Sequence, residues 1–513
     1  MPDDADLTAD LAELFRRRAL TEDEARPEAV AKRRERGGRT ARENVADLVD
    51  EGSWVEYGRY AIAPQRGRRG LEDLRANTPA DGMLAGTATV DGHLTAVLAY
   101  DYTVLAGTQG GLGHLKKDRM FELIERMRLP VVFFAEGGGG RPGDTDLAAV
   151  SALHVRAFAL WAKLSGKVPR ISIVHGRCFA GNAVIAGCSD LIVATENVSI
   201  GMGGPAMIAG GGLGDVDPDE VGPVSMQEPN GVLDLVVADE GEAVAAAKRL
   251  LGYFRAPVAE WEAPDQSALR RMIPEESRRA YDVVPVIEQL ADAGSVAVLR
   301  PRFAPEMVTA LARIEGRPVG VIANNTIQMA GTLTAAASDK ASRFLELCDS
   351  FGLPVVSLVD TPGYIVGPQY EREALVRHAC RLLVAGAALT VPLVAVILRR
   401  AYGLGAQAMV GGSLHEPALT VAWPGAHLGP MGLEGAVRLA LRRELEAIAD
   451  TEAREQRVRE VTAAAQENAK ALNAAQLFEI DDVIDPAETR RAIAATLAAA
   501  GTPVPSGRPV DPW

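Results

Sequence analysis

The chain has 513 residues, 48% of them apolar and 24% charged, the composition of a folded globular protein with room for about two to four domains. Its 54 lysines and arginines against 68 aspartates and glutamates leave a net charge of −14, which excludes a nucleic-acid binder held by phosphate neutralisation but not the local capture of a small anion. The four cysteines, Cys178, Cys188, Cys348 and Cys380, form no CxxC pair and no charged-then-apolar leader opens the chain, so neither a zinc ribbon nor secretion is expected and a cytoplasmic location is.

Residues 1–50 are charged and rich in Ala, Arg and Glu, with basic clusters at Arg16-Arg17-Arg18 and Lys32-Arg33-Arg34; they predict an exposed helical segment. Two apolar, glycine-punctuated blocks follow, expected as domains over 51–265 and 301–500. A polar stretch at 266–300 reads as a linker region and 501–513 as a tail. The longest uncharged run, Leu382 to Leu398, contains Pro392 and falls short of a membrane span. It predicts a buried helix followed by a buried strand, and no membrane association.

The two blocks repeat one another. Leu105-Ala106-Gly107-Thr108 recurs as Met329-Ala330-Gly331-Thr332, and Leu129-Pro130-Val131-Val132 as Leu353-Pro354-Val355-Val356, both displaced by 224 positions. Acidic-then-glycine turns follow, Glu136-Gly137-Gly138 in one block and Asp360-Thr361-Pro362-Gly363 in the other. Val168-Pro169 precedes the strand Ile171 to Val174 as Val391-Pro392 precedes Leu393 to Ile397. Small-residue turns come next, Phe179-Ala180-Gly181-Asn182-Ala183 and Tyr402-Gly403-Leu404-Gly405-Ala406. Short β-branched runs alternate with amphipathic stretches such as Lys117 to Met127 and Ala341 to Phe351. That alternation predicts an α/β fold of two homologous domains, each with helices packed around a mostly parallel sheet.

Common enzyme motifs fail position by position. Gly210-Gly211-Gly212-Leu213-Gly214-Asp215 lacks the last glycine of a dinucleotide turn, and no GxxxxGK[ST] loop occurs. Gly411-Gly412-Ser413-Leu414-His415 breaks the nucleophile elbow at its final glycine, and His415-Glu416 lacks a second histidine. What survives is the pair of small-residue turns between strand and helix. A helix start carries unpaired N–H groups and the positive end of the peptide dipoles, so such a turn can hold an oxyanion without any side chain. Close helix–sheet packing is the alternative reason for glycine and alanine there.

At these residues the chain resembles the carboxyltransferase (β) subunit of biotin-dependent acyl-CoA carboxylases. The resemblance runs from about Gly38 to about 490. It is carried by Arg39-Thr40-Ala41-Arg42-Glu43, Asp50-Glu51-Gly52-Ser53-Trp54-Val55-Glu56, Asp101-Tyr102-Thr103-Val104, Arg313-Ile314-Glu315-Gly316-Arg317-Pro318, Val359-Asp360-Thr361-Pro362-Gly363-Tyr364, Ala422-Trp423-Pro424 and Asp481-Asp482-Val483-Ile484-Asp485-Pro486. It implies two crotonase-like domains (ββα superhelices), the amino-terminal one binding acyl-CoA and the carboxy-terminal one receiving carboxybiotin, commonly across a dimer interface within a hexamer. By resemblance the N–H groups of Gly181 and Asn182 polarise the thioester carbonyl, and those of Leu404 and Gly405 face the ureido oxygen of biotin. Ala180, Arg141, Gly403 and Ala406 then fall at cofactor-binding positions, and Phe179, Gln407 and Tyr402 line the substrate pocket. The family commonly carries a second glycine where Asn182 stands, and Gly201 to Gly214 is richer in glycine than the corresponding loop.

Arg141 and the arginines between Arg33 and Arg42 are candidates for the phosphates of CoA. Gln407 either recognises a polar acyl group or fills space. The chain has no Met-Lys-Met biotin-attachment sequence and no ATP-binding glycine loop. A biotin carboxylase and a biotin carboxyl carrier subunit are therefore the implied partners, with biotin and acyl-CoA as the small molecules, no metal held by this chain and no nucleic acid. Three other readings remain open at this point: reverse transfer in a decarboxylase, a hydratase or hydrolase using Glu136 or Glu196, and a scaffold subunit without catalysis.

Overall fold

The computed structural model describes residues 8–141, 143–147, 151, 153–276 and 279–513. The chain divides into two compact units, one ending at Gly252 and the other beginning at Tyr253, apart from an exchange of single residues at the carboxy terminus. Each unit is built on an eight-stranded sheet.

In the first unit β1 (Val55–Glu56), β2 (Met83–Val90), β3 (His93–Tyr100), β4 (Val131–Gly137), β5 (Arg170–Phe179), β6 (Leu191–Thr195), β7 (Ser199–Gly201) and β8 (Leu235–Val237) lie in the order β1-β2-β3-β4-β5-β6-β8, with β7 paired to β5. The second unit repeats this order with β9 (Ala297–Leu299), β10 (Met307–Ile314), β11 (Arg317–Asn324), β12 (Val355–Thr361), β13 (Leu393–Tyr402), β14 (Leu419–Ala422), β15 (His427–Gly429) and β16 (Asp482–Val483). The register repeats as well. Ala96 pairs with Val131 as Gly320 pairs with Val355, and Val131 with Arg170 as Val355 with Leu393, all in parallel. Near-continuous apolar runs such as Val131-Val132-Phe133-Phe134 form strands buried along their whole length, as expected of a sheet covered on both faces.

A pair of buried lysines marks the depth of the repeat. Lys116 Nζ donates to the carbonyls of Gly58, Ala80 and Met83, and Lys340 Nζ to those of Arg300, Phe303 and Ala304. In both units the lysine reaches into the turn that leads to the first long strand, where Ala80, Asp81, Arg300 and Ala304 all have positive φ; Gly58 adds a third acceptor in the first unit from outside that turn.

Three expectations are corrected. The stretch 266–300 is no linker: Leu269, Tyr281, Val283, Val286, Ile287 and Leu290 are buried in the core of the second unit. Its polar composition comes from exposed residues such as Arg270, Arg271, Glu275, Glu276, Arg279 and Asp282, most of them between its two short helices. The amino-terminal segment does form helices, at Ala9–Ala19, Pro27–Glu35 and Ala41–Leu48. Its cluster is not all exposed, however, because Arg33 turns inward to Glu136 and Glu240. The run Leu382 to Leu398 does pass from helix (Leu375–Ala387) to buried strand β13, but that helix is one-sided: Leu375, Leu382 and Gly386 are buried while Val376 and Val384 are exposed. Among the described residues no helix is long and apolar enough to cross a membrane.

Strand β5, which carries the first small-residue turn, is fixed at its other end by a buried ion pair. Arg170 Nη2 lies 2.8 Å from Asp190 Oδ1, Nε 3.2 Å from Oδ2, and Nη1 donates to the Trp161 carbonyl; both charged residues are 1% exposed. Removing one partner leaves a buried charge uncompensated. Asp190→Ala should therefore lower stability by about 3–5 kcal/mol in urea unfolding, whereas the exposed pair partner Glu72→Ala should change it by less than about 1 kcal/mol.

Candidate active site

Both long central strands end in the same abrupt elbow. After β5 the chain turns at Ala180 (φ 51°, ψ −123°) into the helix Gly181–Gly187. After β13 it turns at Gly403 (φ 60°) into Gly403–Met409. Positive φ therefore sits at Ala180 and its counterpart Gly403, and Asn182 is an ordinary helical residue. For alanine this conformation costs about 1–3 kcal/mol and persists only where surrounding structure enforces it. Here the enforcement is the bond from the Ala180 N–H to the Gly201 carbonyl of β7 (3.1 Å) and the helical bond from Val184 N–H to Ala180 (2.9 Å). In the first turn of each helix the carbonyl four residues back lies in the strand, out of reach. Among the described residues no acceptor meets the N–H groups of Gly181, Asn182, Leu404 or Gly405.

The loop after β3 and its counterpart after β11 support the elbows. Leu105 and Ala106 have φ of 49° and 55°, and Met329 and Ala330 have 46° and 56°. Each loop pairs with the turn after the next strand: Gln109 N–H reaches the Gly139 carbonyl (2.7 Å) and Leu333 N–H the Gly363 carbonyl (3.0 Å). The halves then differ. A Cβ on Gly405 would lie 2.7 Å from the backbone of Gly363 and 3.0 Å from Tyr364 N, so only glycine fits against that turn. At the equivalent place in the first unit, the fully buried Asn182 side chain fills the gap. Its Nδ2 donates to the carbonyls of Glu136 (2.8 Å) and Gly107 (3.2 Å), and its Oδ1 accepts from Gln109 Nε2 (3.1 Å). The side chain of Asn182 is thus part of the scaffold behind the elbow.

A buried carboxylate closes the strand beside each elbow. Glu136, 2% exposed, accepts from Arg33 Nη1 at 2.6 Å and lies 3.3 Å from His175 Nδ1, which also contacts Glu240 at 3.1 Å. Burial pushes the Glu136 pKa up against the pull of His175 and Arg33. For His175 burial works downward, yet Glu136 and Glu240 outweigh it and raise the pKa. In the second unit Asp360, fully buried, is held by Arg399 Nε (3.0 Å), Arg400 Nε (2.6 Å) and the Tyr281 hydroxyl (2.9 Å). Glu136 is consumed by these contacts and Glu196 lies exposed on the surface, so the carboxylate-based hydratase reading loses its acid–base groups.

A cavity of about 510 Å³ lies beside the second elbow, lined by Gly403, Leu404, Ala406, Gln407, Leu428 and Lys470 among others. Gln407 and Leu404 are exposed to it. Tyr402 and Gly405 are not among its lining residues; both are buried, Gly405 against Gly363. Phe179, 4% exposed, packs its ring against Gly204 at the start of the glycine-rich segment.

Most of the arginines proposed for phosphate binding are paired with carboxylates. Arg141 is paired to Asp81 and Asp144, and its side chain is 5% exposed. Arg33 belongs to the Glu136 cluster, Arg34 pairs with Glu43, Arg39 with Asp47, and Arg42 with Glu56. Arg33, Arg42 and Arg141 are enclosed by these pairs, whereas Arg34 stays exposed beside its one partner. Through Nε and Nη2, Arg141 braces Asp81 and Asp144 against one another.

Sequence reasoning missed Gln109, Lys117 and the cation clusters around Glu136 and Asp360. A signal for the first two existed in the repeat itself, since Gln109 and Lys117 stand where the second half has Leu333 and Ala341. The elbow packing yields a direct test. Gly405→Ala should destabilise the second unit by about 1–3 kcal/mol in denaturant unfolding, because the new methyl meets backbone rather than a movable side chain. Gly187→Ala, whose methyl meets nothing within 4 Å, should show no loss.

Residues 32–503 match the carboxyl transferase domain family. The chain is 34% identical over 482 residues to the methylmalonyl-CoA carboxyltransferase 12S subunit of Propionibacterium freudenreichii subsp. shermanii, covering 91% of this chain and 90% of that protein. It is 33% identical over 521 residues to the propionyl-CoA carboxylase beta chain of Saccharopolyspora erythraea, covering 97% and 94%. The structure is similar to a single-chain, multi-domain long-chain acyl-CoA carboxylase, with TM-score 0.91 and 54% identity over 96% of this chain; the chain spans 49% of that enzyme's length. It is also similar to the hexameric transcarboxylase 12S core crystallised with methylmalonyl-CoA, with TM-score 0.85 and 32% identity over 98% of both chains. The match takes in both sheets and both elbows, and the chain therefore belongs to the carboxyl transferase domain family, the carboxyl-transferring side of the biotin-dependent acyl-CoA carboxylases.

Proposed function

We propose that the chain moves a carboxyl group from carboxybiotin, presented by a separate carrier, to the α-carbon of an acyl-CoA. The observation that carries this reading is the duplicated elbow, each copy leaving two main-chain N–H groups without an acceptor. The N–H groups of Gly181 and Asn182 hold the thioester oxygen, and those of Leu404 and Gly405 hold the ureido oxygen. No protein base is needed. The nitrogen–carboxyl bond of carboxybiotin breaks to release carbon dioxide and the biotin anion, whose nitrogen takes the α-proton of the thioester. The enolate carbon then bonds to carbon dioxide, leaving carboxyacyl-CoA and neutral biotin. The protein contributes position and charge stabilisation, each elbow donor supplying about 2.7–4 kcal/mol at the transition state.

The substrate assigned is a long-chain acyl-CoA. Identity of 54% to the long-chain enzyme, against 31–34% to the propionyl and methylmalonyl relatives, supports it. So does the apolar surface of Met202, Met207 and Leu213, all more than 60% exposed, in the glycine-rich segment that packs on Phe179 beside the first elbow. A hexamer like the transcarboxylase 12S core, biotin carboxylase and biotin carrier as partners, and a cytoplasmic location complete the proposal.

The test is a panel of acyl-CoAs from acetyl to palmitoyl, with labelled bicarbonate, ATP, a biotin carboxylase and a biotinylated carrier. Label should enter the acyl-CoA with the highest kcat/KM on long chains, and avidin should abolish it. Transfer confined to propionyl-CoA would overturn the substrate assignment. Turnover of acyl-CoA untouched by avidin would overturn the reaction.

A further inference from the structure

The two halves place different side chains behind elbows of the same shape. The register between them is fixed by Lys116 and Lys340, which occupy the same turn of two 17-residue helices and hold the equivalent carbonyls of Ala80 and Ala304. The next residue is Lys117 in the first half and Ala341 in the second. Gln109 pairs with Gly140 as Leu333 pairs with Tyr364. Asn182 corresponds to Gly405. Three positions that are apolar or glycine in one half are therefore Lys, Gln and Asn in the other, and they are bonded in series. Lys117 Nζ lies 2.7 Å from Gln109 Oε1 and 3.0 Å from the Tyr100 hydroxyl; Gln109 Nε2 lies 3.1 Å from Asn182 Oδ1; Asn182 Nδ2 donates to Glu136 and Gly107.

The direction of this chain follows from its last member. The carbonyls of Glu136 and Gly107 only accept, so they claim the Asn182 NH2, which leaves Asn182 Oδ1 to accept from the Gln109 NH2 and Gln109 Oε1 to accept from Lys117. Each bond polarises the next. Burying the cation is expensive: Lys117 is fully buried, and desolvation, only partly offset by Asp118, pulls its pKa down to about 7. The rings of Tyr100 and Phe158 lie 5.6 and 5.7 Å from Nζ. The same Phe158 ring and Gln109 Nε2 are the atoms that a Cβ on Gly181 would meet, at 3.0 and 2.7 Å. The network thus touches the elbow at both donor residues, Gly181 and Asn182. Nothing in the fold requires it, because the second half builds the same elbow with Leu333, Ala341 and Gly405.

We propose that Lys117 is a positioning residue for the thioester half of the reaction, acting through Gln109 to hold Asn182 and so to aim the main-chain N–H groups of Gly181 and Asn182. The inference rests on the transfer reaction proposed above. It predicts a defect in turnover confined to the acyl side, since donors displaced from the developing oxyanion cost far more at the transition state than in ground-state binding.

The experiment uses the full chain with its carboxylase and carrier and three variants that move the first half toward the pattern of the second: Lys117→Ala, Gln109→Leu and the double variant, whose buried polar atoms are removed together. Each single variant should lower kcat for acyl-CoA carboxylation about 10- to 100-fold with KM changed less than about 3-fold. The double should be no worse than the poorer single, because both act through one chain of bonds. Release of carbon dioxide from the carboxylated carrier without acyl-CoA, which engages only the second elbow, should be unchanged. Wild-type kcat in the double variant would overturn the proposal. So would a loss that appears in KM alone, or a multiplicative loss in the double accompanied by equal loss of carbon dioxide release. Absence of transfer by the wild type would instead overturn the reaction on which the proposal rests.

Discussion

Each long central strand gives way to a helix within a single residue, and in both halves of this chain that residue has positive φ, Ala180 in one and Gly403 in the other. The consequence is electrostatic. Main-chain N–H groups at the start of the following helix lose their acceptors while remaining fixed to a sheet buried on both faces. A donor held in that way needs no reorganisation when charge develops on a substrate oxygen, which is the condition under which amide donors contribute most to a reaction. The strain at Ala180 is confined by the bond to β7 and by the first helical bond, so the sheet and the elbow stand or fall together.

The frame is duplicated, but its lining is not. Behind the second elbow the backbone of Gly363 and Tyr364 presses directly on Gly405. Behind the first, a buried Lys-Gln-Asn series takes that space. The neighbouring carboxylates are likewise solved differently, Glu136 by Arg33 and His175, Asp360 by Arg399, Arg400 and Tyr281. One geometry with two linings suits a reaction in which two chemically distinct oxygens, a thioester's and a ureido group's, must each be held. It also explains how an asparagine can stand where the second half has Gly405: its side chain points back into the scaffold and leaves its own N–H without a competitor.

Much of this was legible in the sequence. Two short repeated signatures, Leu105 to Thr108 with Met329 to Thr332 and Leu129 to Val132 with Leu353 to Val356, were enough to infer two homologous α/β units, since an internal repeat fixes the order of everything between. The small-residue turns after β5 and β13 were likewise visible as Phe179 to Ala183 and Tyr402 to Ala406. What was not legible depends on partners distant along the chain. Arg33 finds Glu136 and Arg141 finds Asp81 only after folding, so surface cations and buried ion pairs look alike in the sequence. Gln109 and Lys117 belong to no motif and gain meaning only when set against Leu333 and Ala341. Composition misread 266–300 because its core-facing Tyr281, Val283, Val286, Ile287 and Leu290 are diluted by exposed polar residues beside them, such as Arg270, Glu275, Glu276 and Asp282.

The central claim is that main-chain N–H groups at the two elbows do the work, and it is tested most directly by deleting one without touching a side chain. An ester in place of the peptide bond between Ala180 and Gly181 removes that single donor and leaves the elbow's shape. Carboxylation of acyl-CoA should then slow about 10²- to 10³-fold, with carbon dioxide release from the carboxylated carrier unaffected; the same replacement between Gly403 and Leu404 should slow that release. Full activity with both esters in place would contradict the account.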